Sequence, residues 1–188
     1  MGARVLVDAN VLFSRTLRDW LFLLRNETGG EVYTVASTED VLAETIYRYR
    51  RRHPQAPGAL IAAIHDRIVE QLDERVTDYV IDGSFPGGDR NDAHVHAAAV
   101  ASGTDILVTA DTGFTTLDDA VTTLPYLVRS ADEFFVFLDD VVPEAVTVVT
   151  ARQVDYWTRR GGNGDLAEHL RVADCPSFAS RVSTRSVG

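Results

Sequence analysis

Four acidic residues, far apart in the chain, sit where apolar strand-like runs end or amphipathic helices begin: Asp8, Glu44, Asp92 and Asp111. Asp8 follows Arg4-Val-Leu-Val7, and Asp111 follows Ile106-Leu-Val-Thr-Ala110. Glu44 ends Val41-Leu-Ala-Glu44, and Asp92 precedes Ala93-His-Val-His96. Carboxylates at the carboxyl ends of parallel strands can meet in one crevice, because open α/β sheets place their sites there. Like charges gathered that closely repel one another unless a cation offsets them. Hard oxygen donors of this kind suit Mg²⁺ or Mn²⁺. The pattern predicts a divalent-metal centre.

Each acid also has a structural use against which that chemistry is weighed. Asp8 could cap the following helix, yet a charge directly after so apolar a strand has little structural purpose. Asp111 could form an Asx turn before Gly113. Asn10 and Thr109 are placed to support the carboxylates by hydrogen bonds. Asp92 is preferred to Asp89 because it opens a helix, which fixes its position, whereas Asp89 lies further out in a loop. Glu44 is preferred to Glu39 and Asp40, which fall in a first helical turn where acids offset the dipole. His94 and His96 suggest zinc, but side chains two apart on a helix do not share a face, and no cysteine is near them. The chain has no GxxxxGK[ST], no GxGxxG after a strand and no GxSxG.

The elements that must position these acids are short. Val5–Val7, Val32–Ala36, Tyr79–Ile81, Ile106–Thr109 and Tyr126–Val128 read as buried strands separated by helical patterns, which favours a parallel sheet. A helix spans roughly Thr16 to Arg25 and ends at Gly29-Gly30. Ser37 with Asp40 forms a capping-box pattern opening the next helix, to about His53. A third runs from Ala59 to about Glu74. The turn-rich Gly83–Asn91 stretch reads as a mobile loop, delivering Asp92 to an alanine-rich helix, Ala93 to Ser102. Ser130-Ala-Asp-Glu133 opens another. A domain boundary is placed at 139/140. Beyond it the pattern is helical, roughly Glu144 to Arg159 and Leu166 to Val172, joined by Gly161-Gly-Asn-Gly164, with a frayed end over Ser183–Gly188.

The 188-residue chain has a formal net charge of −10, and all 18 of its cations are arginine. An acidic whole argues mildly against non-specific nucleic-acid binding, but part of that charge would be cancelled by bound ions. Arg48, Arg50, Arg51 and Arg52 form one dense tract, and arginine clamps phosphate bidentately. Arg48, Arg51, Arg52 and, after the first strand, Arg15 are candidate RNA-phosphate contacts. The tract could equally be a solvated helix end. A lone Cys175 suggests a small buried thiol. No apolar run approaches the roughly 20 residues that span a bilayer. The start runs straight into a strand-like segment, so no signal peptide, no membrane and a cytoplasmic location are expected.

Taken together, Val5-Leu-Val-Asp-Ala-Asn10, Val41–Glu44, Asp92-Ala-His-Val-His-Ala-Ala98 and Leu107-Val-Thr-Ala-Asp111 resemble the PIN domain, in order and spacing, over about residues 3 to 139. They are similar to PIN ribonucleases, including the VapC toxins of bacterial toxin–antitoxin pairs. The resemblance implies an α/β fold, a three-layer domain with a central five-stranded parallel sheet over residues 1–139. A helical C-terminal extension over 140–188 departs from shorter members, and its Asp-Cys-Pro-Ser-Phe178 segment is similar to tails of a longer subgroup. The resemblance also implies Asp8, Glu44, Asp92 and Asp111 as the acidic site, cleavage of RNA with Mg²⁺ or Mn²⁺, neutralisation by a cognate antitoxin, and a homodimer.

The expected reaction is phosphodiester hydrolysis of unpaired RNA by metal-activated water, with one or two ions. Asp8, Asp92 and Asp111 would ligate, and Glu44 would ligate or orient water. Alternatives are a housekeeping or DNA-processing nuclease, a catalytically inactive binding module, and an aspartyl phosphotransferase with Asp8 as nucleophile. The haloacid-dehalogenase form of the last would want Asp where this chain has Asn10.

Overall fold

In the computed structural model the described residues are 2–87, 89–115, 124–161 and 164–185. The strands are β1 (Ala3–Val7), β2 (Tyr33–Thr38), β3 (Glu74–Val76), β4 (Ile106–Val108) and β5 (Leu127–Arg129). The helices are α1 (Ala9–Phe13), α2 (Arg15–Glu27), α3 (Glu39–Arg52), α4 (Gly58–Val69), α5 (Ala93–Ser102), α6 (Thr112–Thr115), α7 (Ala131–Val141), α8 (Pro143–Arg159), α9 (Leu166–Val172) and α10 (Pro176–Arg185). They form two compact units: Met1–Phe13 with Glu31–Arg129, and Ser14–Gly30 with Ser130–Gly188. Position 139/140 lies inside α7.

The first unit is an α/β domain around one wholly parallel sheet in the order β3-β2-β1-β4-β5. The central β1 is apolar over Val5, Leu6 and Val7, which are fully buried, as a strand covered on both faces requires. The register of β1 against β4 aligns the strand ends. Val7 pairs with Val108, Asp8 N donates to Val108 O at 3.1 Å, and Thr109 N donates to Arg129 O at 3.0 Å. Asp8 and Thr109 thus leave the sheet side by side at its carboxyl edge.

Four local expectations are corrected. The edge strand next to β2 is Glu74–Val76, not Tyr79–Ile81. An edge strand needs little apolar surface, so Glu74 and Arg75 serve, while Val80 and Ile81 are exposed. The third helix accordingly stops at Val69. Thr38, not Ser37, caps α3, accepting from Val41 N at 3.1 Å. Ser37 instead donates to Val7 O at 3.2 Å, tying β2 to β1. A short α1 precedes α2, which begins after the Ser14 cap.

The second unit consists of α2 and α7–α10. Trp20 of α2 packs edge-on against Phe178 at 4.9 Å, and Phe178 lies 5.3 Å from Phe135. Ser130 and Glu133 form the expected capping box of α7. Asp132 accepts from Ser177 N and Phe178 N at 3.1 and 2.8 Å, so an acid of α7 caps α10. The expected fraying from Ser183 is corrected to helix as far as Arg185, with 186–188 outside the described residues. Buried Asp139 lies 3.1 Å from Arg181 and 2.6 Å from Arg185, one turn apart on α10. Cys175 is buried, and burial pushes its thiol up to about 12. Among the described residues, no helix is long and apolar enough to cross a membrane.

Candidate active site

The first unit contains an open crevice of about 1030 Å³, lined by Asp8, Glu44, Asp92 and Asp111 among others. The four anticipated acids therefore share one space although 103 positions separate the outermost two, 111 minus 8. Asp8 arrives from the end of β1, Glu44 from the second turn of α3, Asp92 from the 3₁₀ turn Arg90–Asp92 before α5, and Asp111 from just beyond β4.

Asp8 is 7% exposed and held on both oxygens. Its Oδ1 accepts from Ala9 N at 2.6 Å, and its Oδ2 from Thr109 Oγ1 at 2.7 Å and Asn10 Nδ2 at 2.8 Å. Asn10 Oδ1 accepts in turn from Ala110 N at 3.1 Å. The expected helpers, Asn10 and Thr109, are thus placed around this carboxylate by the β1–β4 register. Burial raises the Asp8 pKa; the bonds from Thr109 and Ala9 oppose it, and Glu44 adds to it.

Asp92 is the opposite case. It is 8% exposed, and its Oδ2 is buried with no hydrogen-bond partner among the described residues. Burial first, then the charges of Asp111, Asp89, Asp8 and Glu44, push its carboxyl up to about 7. Gly113 explains how it fits. A Cβ at that position would overlap Asp92 Oδ2 and stand 3.2 Å from Asp111 Oδ1. The Asp92 and Asp111 carboxylates therefore converge on the space a side chain would have taken. Gly113 N also donates to Asp111 Oδ1 at 2.8 Å, so the Asx turn foreseen at Asp111 forms while its carboxylate lines the crevice.

Glu44 is part-exposed and bonded to Arg48 one turn on, at 2.8 Å from Nε and 2.6 Å from Nη2. The competing acids have other duties. Asp89 caps the turn through Asn91 N at 2.9 Å and is exposed; Asp40 accepts from Tyr79 OH at 2.6 Å. Both still line the crevice. His94 lines it too, while His96 is buried 2.7 Å from Tyr126 OH, so the two histidines do not converge.

Arg48, Arg51 and Arg52 line the same crevice. Arg15 does not; it starts α2 in the other unit, 5.2 Å over Trp157 and 3.4 Å from Asp19. Sequence reasoning missed Tyr47, Arg90 and Gly113. Tyr47 and Arg51 follow Glu44 at helical spacing, a signal legible in the sequence; the Gly113 contact arises from folding alone.

Among the described residues, no three His, Cys, Asp or Glu side chains are drawn together closely enough to enclose a metal ion. The acids line a common space without closing into a shell. The donor set nonetheless fits Mg²⁺ or Mn²⁺: hard carboxylate oxygens, one of them buried and orphaned. No curated protein and no solved structure matches the chain. PIN domains are generally metal-dependent nucleases, in keeping with this acidic crevice. Residues 4–113, which carry all four acids and make up more than half of the sequence, match the PIN domain, and the chain belongs to that family.

Proposed function

We propose that this protein is an endoribonuclease that hydrolyses RNA phosphodiester bonds with Mg²⁺ or Mn²⁺, and the toxin of a toxin–antitoxin pair. The observation that carries the reading is the crevice shared by Asp8, Glu44, Asp92 and Asp111, with Asp92 Oδ2 buried and unpartnered. Asp8, Asp92 and Asp111 would hold the ion, and Glu44 would ligate or orient water. When bound, such an ion supplies Lewis-acid activation of water and offsets charge on the phosphate.

The chain's own groups do the rest. Thr109, Asn10 and the Ala9 amide fix the Asp8 carboxylate, so its orientation does not depend on a ligand. Burial and the neighbouring acids raise the Asp92 carboxyl to about 7, so a positive charge held beside it would favour its ionised form. Arg48 keeps Glu44 at the crevice wall. Unpaired RNA suits an acidic cleft better than a duplex, because splayed nucleotides can enter.

The toxin role rests on the likeness of the four motifs to bacterial PIN toxins; a cognate antitoxin, a homodimer and a cytoplasmic location go with it. The deciding assay compares matched RNA and DNA oligonucleotides, wild type against Asp8→Ala, in Mn²⁺ and in EDTA. Metal-dependent cutting of RNA, lost in Asp8→Ala, is expected. DNA cut equally well would move the protein to DNA processing, and cutting by Asp8→Ala at the wild-type rate would remove the assignment. For the biological role, induced expression should arrest growth with the wild type but not with Asp8→Ala.

A further inference from the structure

We infer that the outer half of α3 is a base-stacking subsite, with Tyr47 as its platform and Arg51, Arg52 and Arg90 as its phosphate contacts. It restricts the proposed nuclease to unpaired strands, and so rests on the nuclease reading. One face of α3 supplies the crevice with Asp40, Glu44, Tyr47, Arg48, Arg51 and Arg52. Charge changes sign along that face. The acids lie near the helix start, and the cations begin one turn later and continue to its end. Glu44 and Arg51 are seven residues apart, about 10 Å along the axis.

Tyr47 stands between the two zones. The residue is 60% exposed, although it belongs to a crevice wall. The Arg51 guanidinium lies 5.8 Å from the ring centroid, an arrangement that prepares an aromatic face and a phosphate-binding fork together. Arg48 is occupied by Glu44. Arg51, Arg52 and Arg90 make no ion pair among the described residues, yet they line a crevice rich in acids.

A protein with a net charge of −10 needs such local cations to hold a polyanion beside an acidic floor. A base can lie on Tyr47 only if its face is free, and stacking on its neighbours within a duplex covers that face. The chemistry on this wall therefore selects a single strand, and it is tolerant of sequence because every base has a face to stack.

The test uses the full chain with Tyr47→Ala and Tyr47→Phe, substitutions at an exposed position that spare the core. Anisotropy of a labelled 12-nucleotide unpaired RNA is measured on an Asp92→Asn background, beside the same sequence in a duplex. KM and kcat are measured separately with the Tyr47 variants alone, in Mn²⁺. Tyr47→Ala should weaken single-strand binding and raise KM about 10-fold with kcat within about twofold, Tyr47→Phe should restore both, and duplex binding should not respond. Equal affinity of Tyr47→Ala and wild type, or failure of Phe to rescue, overturns the subsite. If Tyr47-dependent binding is found without any cleavage by the wild type, the subsite stands and the nuclease reading falls. Cleavage with a KM indifferent to Tyr47 gives the converse.

Discussion

Two aspartates are buried to nearly the same degree, Asp139 at 6% and Asp92 at 8% exposure, and their surroundings could hardly differ more. Asp139, in the helical unit, has Arg181 and Arg185 against it, two cations one turn apart on α10; its Oδ1 makes no hydrogen bond among the described residues but lies 2.6 Å from the Arg185 guanidinium. Asp92, in the α/β unit, has an orphaned oxygen and faces Asp111, Asp89, Asp8 and Glu44. A buried charge must be compensated or must carry a penalty. Where the chain supplies the compensation, the acid holds the fold together. Where it withholds it, the penalty is kept for a ligand to relieve, and such places are where function concentrates.

The sharpest way to break this comparison is to neutralise each acid in turn. Asp92→Asn should lower RNA cleavage at least about 1000-fold by removing a ligand, at no loss of stability. Asp139→Asn should leave activity per folded molecule unchanged but cost about 1–2 kcal/mol, because Arg185 loses its carboxylate while Arg181 keeps Asp140. Denaturant melts and Mn²⁺-dependent cleavage on the same samples check both. If Asp139→Asn inactivates without destabilising, the division of roles is wrong.

Next in size is Gly113→Ala. No positive φ forbids alanine there, so only the Cβ acts, against Asp92 Oδ2 and Asp111 Oδ1. Displacing those carboxylates should cost about 100-fold in kcat, with weaker Mn²⁺ binding by calorimetry. An unchanged calorimetric titration would show that the two acids do not need that space.

The metal-free protein should also respond to pH. The Asp92 carboxyl rises from its ordinary 3.8 to about 7 on folding. Between those values the folded chain holds a proton the unfolded chain has lost, so stability falls as pH rises. This contribution is complete below 3.8 and gone once pH has passed through about 7. Melting temperature in EDTA should therefore drop from about pH 5 to about pH 8, and the drop should shrink in Asp92→Asn. A profile identical in the two proteins would refute the assignment of that titration to Asp92. The smallest effect is expected for Asp89→Asn, which alters an exposed capping acid. It should retain within about threefold of wild-type cleavage, since a weakened cap costs only about 1 kcal/mol or less. Loss matching Asp92→Asn would make Asp89 the ligand of that loop.

Much of the fold and of the acidic site is readable in the sequence, and the exceptions have physical causes. The runs around Val5–Val7, Val35 and Leu107 become β1, β2 and β4 because strands covered on both faces must be apolar throughout. The edge strand was misplaced because an edge position relaxes that demand: Glu74–Val76 pairs through its backbone, while the more apolar Tyr79–Ile81 stays outside the sheet. The helix α10 escaped notice because its few apolar residues, Phe178, Ala179 and Val182, matter only against Trp20 and Phe135.

By itself the order of residues determined that the fold is α/β, that Asp8 and Asp111 follow neighbouring strands, and that acids rather than phosphate loops stand at those strand ends. Those are local properties, set by periodicity and by which residue comes after each strand. Only the tertiary structure decided that Thr109 and Asn10 grip Asp8, that Arg48 engages Glu44, and that Gly113 admits Asp92. It also decided that Asp139 is compensated while Asp92 is not. Compensation depends on which distant side chains arrive within a few ångströms, and no local pattern encodes that.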